Sequence, residues 1–491
     1  MLMIFQQTIK IRKMKNNRNI KYAGLACVLL SIAGCKTTSI AEKTENKTLP
    51  ENYTDNGLDT LNTGKVKWRS YFTDENLENL IDIALKNNQE LNITLQEIEI
   101  AKSEVRARKG EYLPFVGFSS GADVTKSGRY TSTGSGEATT DIMPGRETPD
   151  PLPNYRFALA SSWEIDIWNK LHNAKKAALN RYLGSIEGKN FVITNLIAEI
   201  ADSYYELLAL DNQLEIIKQN IDIQTNALKV VKIQKEAARV NELAVRRFEA
   251  QILSTQSLQF DIQQQITETE NKINFLLGRF PQKIARSSNT FSTITPADIH
   301  AGVPSQLLEN RPDIKKAEME LIAAKLDIKA AKAKFYPSLG ISAGIGYEAF
   351  NTKYLLTSPE SLLYSIAGDL AAPLINRNAI KAEYLTAGAK QIQAVYNYER
   401  ILVNAYVEVA NQLSKIQNTA KSYALKSKQV QALNESIQIS NNLFSSARAD
   451  YMEVLLTQKD ALESKFELIE TKKQQMNAFV NVYRALGGGW N

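Results

Sequence analysis

A chain of 491 residues has room for two to four ordinary domains. Its 59 basic and 53 acidic residues look mildly basic, yet residues 1–34 hold six of the basic side chains and no acid, so the rest is balanced at 53 against 53. The basic surplus belongs to the N-terminal segment and gives no sign of a nucleic-acid surface, and no nucleic-acid partner is expected.

That segment, 1–34, reads as an address. Basic residues from Lys10 to Lys21 precede an apolar run, Ala23 to Ile32, and then Ile32-Ala33-Gly34-Cys35. About ten apolar residues are too few to span a bilayer as a helix and suit a signal peptide. The small residues before Cys35 are similar to a bacterial lipobox, which implies cleavage ahead of Cys35 and a covalent lipid on it. The alternative is an ordinary signal peptide with a chance cysteine. Cys27 lies in the discarded part, so no disulfide remains. Lys36, where an aspartate would favour inner-membrane retention, favours the outer membrane.

Beyond a lipid-anchored segment at 35–73, the chain says most things twice. Residues 101–121 match 324–344 at a constant offset of 223, with Ala101-Lys102 facing Ala324-Lys325 and Pro114 facing Pro337. Ile167-Trp168-Asn169-Lys170 recurs as Leu374-Ile375-Asn376-Arg377 at an offset of 207. Ala238-Arg239-Val240-Asn241 recurs as Ala447-Arg448-Ala449-Asp450 at an offset of 209. The first half thus carries about 16 extra residues between Gly121 and Ile167. Two equivalent structural circuits follow, at 74–280 and 311–491, joined by a link at 281–310.

Each circuit opens on a helix, Glu75–Leu113 in the first, and continues into segments of period two. Tyr155, Phe157, Leu159, Ser161, Trp163 and Ile165 alternate with small or polar residues, and so do Leu339, Ile341, Ala343, Ile345 and Tyr347. Phe115–Val124 and Leu362–Leu370 are less regular versions. One apolar face and one small or polar face is the pattern of lipid-facing, water-lined barrel strands. A soluble sheet packed on the helices is the competing assignment. The Gly/Ser/Thr/Pro-rich stretch 125–153 reads as a long surface loop, with a shorter counterpart near 350–360.

All 13 prolines lie outside 154–280 and 374–491, which permits very long helices there. Ile193, Ile197, Ile200, Tyr204 and Leu207 step by four and three, as do Leu402, Tyr406, Val409, Leu413 and Ile416. Such seams pack helices lengthwise. Trp168 to Ala238 would run about 105 Å, and Asn241–Leu277 would return. Four strands cannot close a water-lined barrel, and open edges in lipid leave amides unpaired, so several copies must share one barrel. The expectation is an oligomeric tube, a membrane β-barrel continued by long helices.

Several blocks carry a resemblance: Trp163-Glu164-Ile165-Asp166-Ile167-Trp168, Leu276-Leu277-Gly278, Pro304 to Ile314, Ala317-Glu318, and Ala333-Lys334-Phe335-Tyr336-Pro337. The terminal Tyr483-Arg484-Ala485-Leu486-Gly487-Gly488-Gly489-Trp490 completes the set. Together they resemble the outer-membrane efflux factor family (TolC-like), in its lipoprotein branch. The resemblance implies an α+β membrane protein, a homotrimer with a twelve-stranded outer-membrane β-barrel, four strands per chain, and an α-helical periplasmic tunnel. It implies a passive exit duct of a tripartite pump, served by a periplasmic adaptor protein and an inner-membrane efflux transporter.

The resemblance also places adaptor contacts in the turns between paired helices, at Arg239, Val240, Asn241, Arg448, Ala449 and Asp450. The family commonly has glycine where Ala238 and Ala447 stand; alanine disfavours positive φ, so a turn of different form is expected. Asp450-Tyr451-Met452-Glu453 has capping-box spacing. One turn inside the tunnel mouth, Leu456 follows Val454-Leu455 where many relatives have aspartate. Apolar closure at Leu456 is expected there, with Glu453 as an alternative acidic ring or a simple cap.

Nothing in the sequence supports catalysis or a cofactor beyond the lipid on Cys35. His172 and His300 lie far apart without a ligand cluster, and no phosphate-binding loop appears. Glu164 and Asp166 share a strand face and read as lumen lining rather than an acid–base pair. Within the transport class a polypeptide duct is the variant reading; outside it, the rival is a lipid-anchored periplasmic scaffold without a pore.

Overall fold

The computed structural model describes residues 39–53, 61–295, 298–446 and 448–490. Cys35 and Ala447 lie outside them. A single turn, α1 (Trp68–Tyr71), leads into α2 (Glu75–Asn87) and α3 (Gln89–Glu111). The sequence predicts one helix here, and Asn88 divides it. Its Oδ1 accepts from the Leu91 amide at 2.9 Å while its Nδ2 donates to the Leu276 carbonyl at 2.9 Å. A side chain that caps the new helix and satisfies a distant carbonyl outweighs one more helical turn.

After β1 (Phe115–Thr125) the long loop has structure of its own. Ser132–Glu137 form the short helix α4 with Thr131 as its cap, and β2 (Asp141–Met143) pairs with β3 (Arg146–Glu147). Then come β4 (Leu152–Ile165), α5 (Lys170–Glu236) and α6 (Glu242–Leu276). The link holds short 3-10 turns at Ser288–Thr293 and Pro304–Gln306 and one turn of helix, α7 (Leu307–Asn310). The order then recurs as α8 (Pro312–Ala333), β5 (Ser338–Ala349), β6 (Leu362–Ala371), α9 (Asn378–Ser445) and α10 (Tyr451–Ala485).

Helix lengths match between the circuits: 67 and 68 residues for α5 and α9, 35 for both α6 and α10. The strand-to-helix corners match as well. Each turns on an asparagine in the left-handed region, Asn169 at φ 56° and Asn376 at φ 53°, the conformation that asparagine tolerates better than other side chains.

The chain divides into two compact units. The first takes in Ile100–Tyr182 and Glu320–Val395 with the described residues up to Thr44, and contains the antiparallel sheet β1-β4-β5-β6. The second is helical. Its core is built on the predicted seam, with Ile197, Ile200, Tyr204 and Leu207 all at 0–1% exposure. Tyr71 stacks between Phe479 and Tyr483 at 4.2 and 4.1 Å and donates its hydroxyl to the Phe479 carbonyl.

The terminal glycine block locks this core. Gly487 has φ 84°, and a Cβ there would meet the Asn310 carbonyl oxygen at 2.6 Å. Trp490 Nε1 donates to that same oxygen at 3.2 Å. Beside it the buried Arg311 donates to Asp313, to Glu408 and to the Ala485 carbonyl, all within 3.0 Å. Burial works against its charge, but the Asp313 hydrogen bonds and the Glu408 carboxylate win and hold the guanidinium more firmly protonated than usual.

Candidate functional site

The sheet sorts its side chains by face. Leu159 stands opposite Phe118 and Ile345, Phe157 opposite Tyr347, and Ile345 opposite Tyr364. Directly opposed residues share a face, so the predicted apolar positions of β4 and β5 join Val116, Phe118 and Val124 of β1 and Leu362, Tyr364, Ile366 and Leu370 of β6. On that face Phe118, Leu159, Ile345, Tyr364, Ile366 and Leu370 are each at least half exposed. The opposite face carries Gly117, Ser119, Ala160, Ser162, Gly344 and Ser342, with Phe115, Leu152 and Leu363 as its larger apolar members. At one end Asn154 Nδ2 donates to Glu348 at 2.8 Å, beside Arg156 and Asp123. An apolar face this continuous is suited to lipid. Among the described residues, β1 and β6 end the sheet with unpaired outer edges.

Where the strands meet the helices, Trp168 stacks on Tyr336 at 4.8 Å and donates to the Pro337 carbonyl. Asp166 departs from its predicted role. It lies past the end of β4 and turns its carboxylate to the start of α5, accepting from the amides of Leu171 at 3.1 Å and His172 at 2.8 Å and meeting His172 Nδ1 at 2.8 Å. Burial opposes its charge, but these donors hold its pKa below the ordinary value. Glu164 pairs with Lys170.

The two helix-joining turns carry the predicted contact residues. Arg239, Asn241, Arg448 and Asp450 are exposed, while Val240 packs on a small core of Val231, Ala244, Val245, Phe248, Phe444 and Val454. That core brings both turns together. Ala238 overturns the expectation of a different turn: it adopts φ 54°, and Arg239 N–H closes on the Gln234 carbonyl at 2.9 Å. This is the Schellman ending usually given to glycine. Asn241 caps α6, its side chain accepting from the Ala244 amide at 3.2 Å. The capping box predicted at Asp450 does not form. Its side chain makes no cap bond, and the Glu453 amide goes to its backbone carbonyl at 3.1 Å.

The first turn is also tied by charge, with Lys232–Glu249 at 3.1 Å and Lys235 on Glu242 joining α5 to α6. Glu453 and Leu456 follow in the opening turns of α10, Leu456 at 51% exposure. Residues 39–53 run along α9. In the first unit Ile40 joins the Phe335–Tyr384 cluster, and Lys43 exchanges two hydrogen bonds with Gln391. In the second, Lys47 bonds Glu318 at 2.6 Å and Tyr53 stacks on Tyr406. Among the described residues no three His, Cys, Asp or Glu side chains gather as a metal site, and no helix is long and apolar enough to cross a membrane.

Residues 80–279 and 303–488 match the family described as outer membrane efflux protein. The chain belongs to this family. Each matched stretch spans one circuit of helix, strands and paired helices. The cation efflux system protein CusC of Escherichia coli O6:H1 is 26% identical over 470 residues, covering 94% of this chain and 98% of that protein. The toluene efflux pump outer membrane protein TtgI of Pseudomonas putida is 26% identical over 433 residues, 88% of this chain and 89% of TtgI. The open-state crystal structure of the Neisseria gonorrhoeae MtrE outer membrane channel shares the fold, with a TM-score of 0.81 and 21% identity over 93% of this chain and 99% of that one. The chain is thus an outer-membrane efflux component, of a family of transport proteins.

Some site features escape sequence reading. The ion pairs that staple the first turn depend on which helix faces which, and the strand alternation that runs up to Asp166 hides its local turn onto the amides of α5. The cap at Asn241 carries a readable signal, an asparagine just ahead of a new helical period.

Proposed function

We propose that three copies of this chain close one twelve-stranded barrel, continue it as a periplasmic helical tunnel, and form the exit duct of a tripartite efflux pump. One observation carries the reading: a four-stranded sheet with a continuous apolar face and two unpaired edges. In hydrocarbon each unpaired edge amide costs several kcal/mol. β1 and β6 run in opposite directions, so β6 of one copy offers the next copy's β1 an antiparallel partner. A pore-free scaffold has no use for such a sheet.

Cys35 carries the lipid anchor, with 35–73 as the anchored segment and 74–280, 281–310 and 311–491 as first repeat, belt link and second repeat. Arg239, Val240, Asn241, Arg448, Ala449 and Asp450 meet the adaptor, which joins the duct to an inner-membrane transporter. Relatives named for cation and for toluene efflux match equally at 26%, so the cargo is a small molecule chosen mainly by the transporter.

The test is the molar mass of detergent-extracted, outer-membrane-fractionated protein, corrected for bound detergent. Three protomers are expected. A stable monomer leaves the sheet edges unpaired and overturns the duct.

A further inference from the structure

Where α5 meets α10 in the second unit, one level of the contact is short of hydrogen-bond donors. Asn481 Nδ2 donates to Asp202 Oδ2 at 2.9 Å and to the Asn477 carbonyl at 2.7 Å, which uses both of its N–H groups. Asp202 Oδ1 is enclosed and has no donor. Asn477 Oδ1, one helical turn before Asn481, is enclosed and unpaired in the same way. These atoms are already shut off within a single chain, so a neighbouring subunit cannot reach them with a donor.

The charged groups nearby do not fill the gap. Lys473 of α10 is held by Glu206 of α5 and by Glu470. Arg484 of α10, Lys272 of α6 and Lys415 of α9 attract the carboxylate without a hydrogen bond to it, and Tyr205 stands beside it on α5. An ionised carboxylate oxygen enclosed without a donor is costly. A proton on Oδ1 removes that cost and turns an acceptor into a donor.

We infer that Asp202 is a proton-binding site at the α5–α10 contact, neutral and donating at mildly acidic pH and a half-buried carboxylate with one enclosed, unpaired oxygen at alkaline pH. Burial pushes this carboxyl from 3.8 up to about 6, against the pull of Asn481 and the three cations. Because the folded value is the higher one, its stabilisation is complete below about pH 4 and is lost as the pH rises through about 6. The full change amounts to about a hundredfold in the folding equilibrium, of which about tenfold falls between pH 5 and pH 8.

The experiment is urea unfolding of the full chain in detergent at pH 5 and pH 8, for wild type and Asp202→Asn. The wild-type midpoint should fall at pH 8. Asp202→Asn, which supplies a donor without a charge, should exceed wild type at pH 8 and lose most of the pH difference. A variant weaker than wild type at pH 8, or an unchanged pH difference, overturns the inference. Asn481→Ala is the second variant: it removes a donor to the charged form, so the pH at which stability is lost should rise, and an unmoved transition counts against the site. Calcium alone is the last probe. A calcium-dependent gain at pH 8 in wild type that Asp202→Asn lacks would give these oxygens to a cation instead, and no such gain is expected.

Discussion

Ala238 and Gly278 end successive helices, α5 and α6, with the same backbone. Their φ angles are 54° and 67°, and each is followed by an amide that reaches back five residues, Arg239 to Gln234 and Arg279 to Asn274. The glycine is required twice over, since a Cβ at 278 would stand 2.4 Å from the Asn87 carbonyl oxygen. Ala238 is exposed and bears only the conformational cost.

Replacing Ala238 with glycine should therefore stabilise the first turn. The left-handed conformation costs alanine roughly 1–2 kcal/mol, and the freer unfolded chain of the glycine variant takes back about 0.4–1 kcal/mol. A net gain of about 0.5–1 kcal/mol follows. Urea unfolding of Ala238→Gly reads it directly, and a loss of stability would show that the turn is not strained by its alanine.

The two turns should answer differently to loss of their cap residues. Asn241→Ala removes a formed side-chain bond to the Ala244 amide and should cost about 1 kcal/mol. Asp450→Ala removes none and should cost less than half as much. Equal losses in unfolding experiments would mean that Asp450 caps its helix after all. Measuring adaptor binding on the same two variants separates contact from stability: a residue that binds the adaptor weakens binding beyond what its stability loss explains.

Much of this architecture is legible in the residues because it repeats a period. The four–three steps of Ile197, Ile200, Tyr204 and Leu207 become a buried seam, and the alternation from Tyr155 to Ile165 becomes one face of a sheet. What periodicity cannot show is which remote group answers a polar side chain. Asn88 reads as one more residue in a helix until the Leu276 carbonyl, 188 positions away, is set beside it. Asp166 reads as a strand residue until the amides of α5 turn towards it. At Ala238 local preference points the wrong way, because the bonds closing the turn outweigh a modest steric cost. Asp450 fails for the opposite reason, since correct spacing does not orient a side chain.

Adjacent positions on β6 give a sharp test of the sheet's two environments. Ile366 is 81% exposed on the apolar face, and Ala367 lies on the opposite face opposite Ser342. Ile366→Arg should cost about 2–4 kcal/mol if that face meets the middle of the bilayer, and the variant should accumulate poorly in the outer-membrane fraction. Ala367→Arg should accumulate normally and alter single-channel conductance. Reversed outcomes would turn the sheet inside out.

Leu456 is the proposed point of closure of the duct. It is half exposed in the single chain and lies in the second turn of α10, three residues after Glu453. Around a threefold axis three copies of each residue would gather, and repelling glutamates cannot close a mouth that leucines can. Burying one leucine is worth about 1.5–3 kcal/mol, so losing that contact should shift the closed–open ratio by about tenfold or more. In planar bilayers Leu456→Ser should raise the leak of the closed channel by that order, while Glu453→Gln should leave it nearly unchanged. If the serine variant leaks no more than wild type, the aperture is held by something other than apolar contact at Leu456.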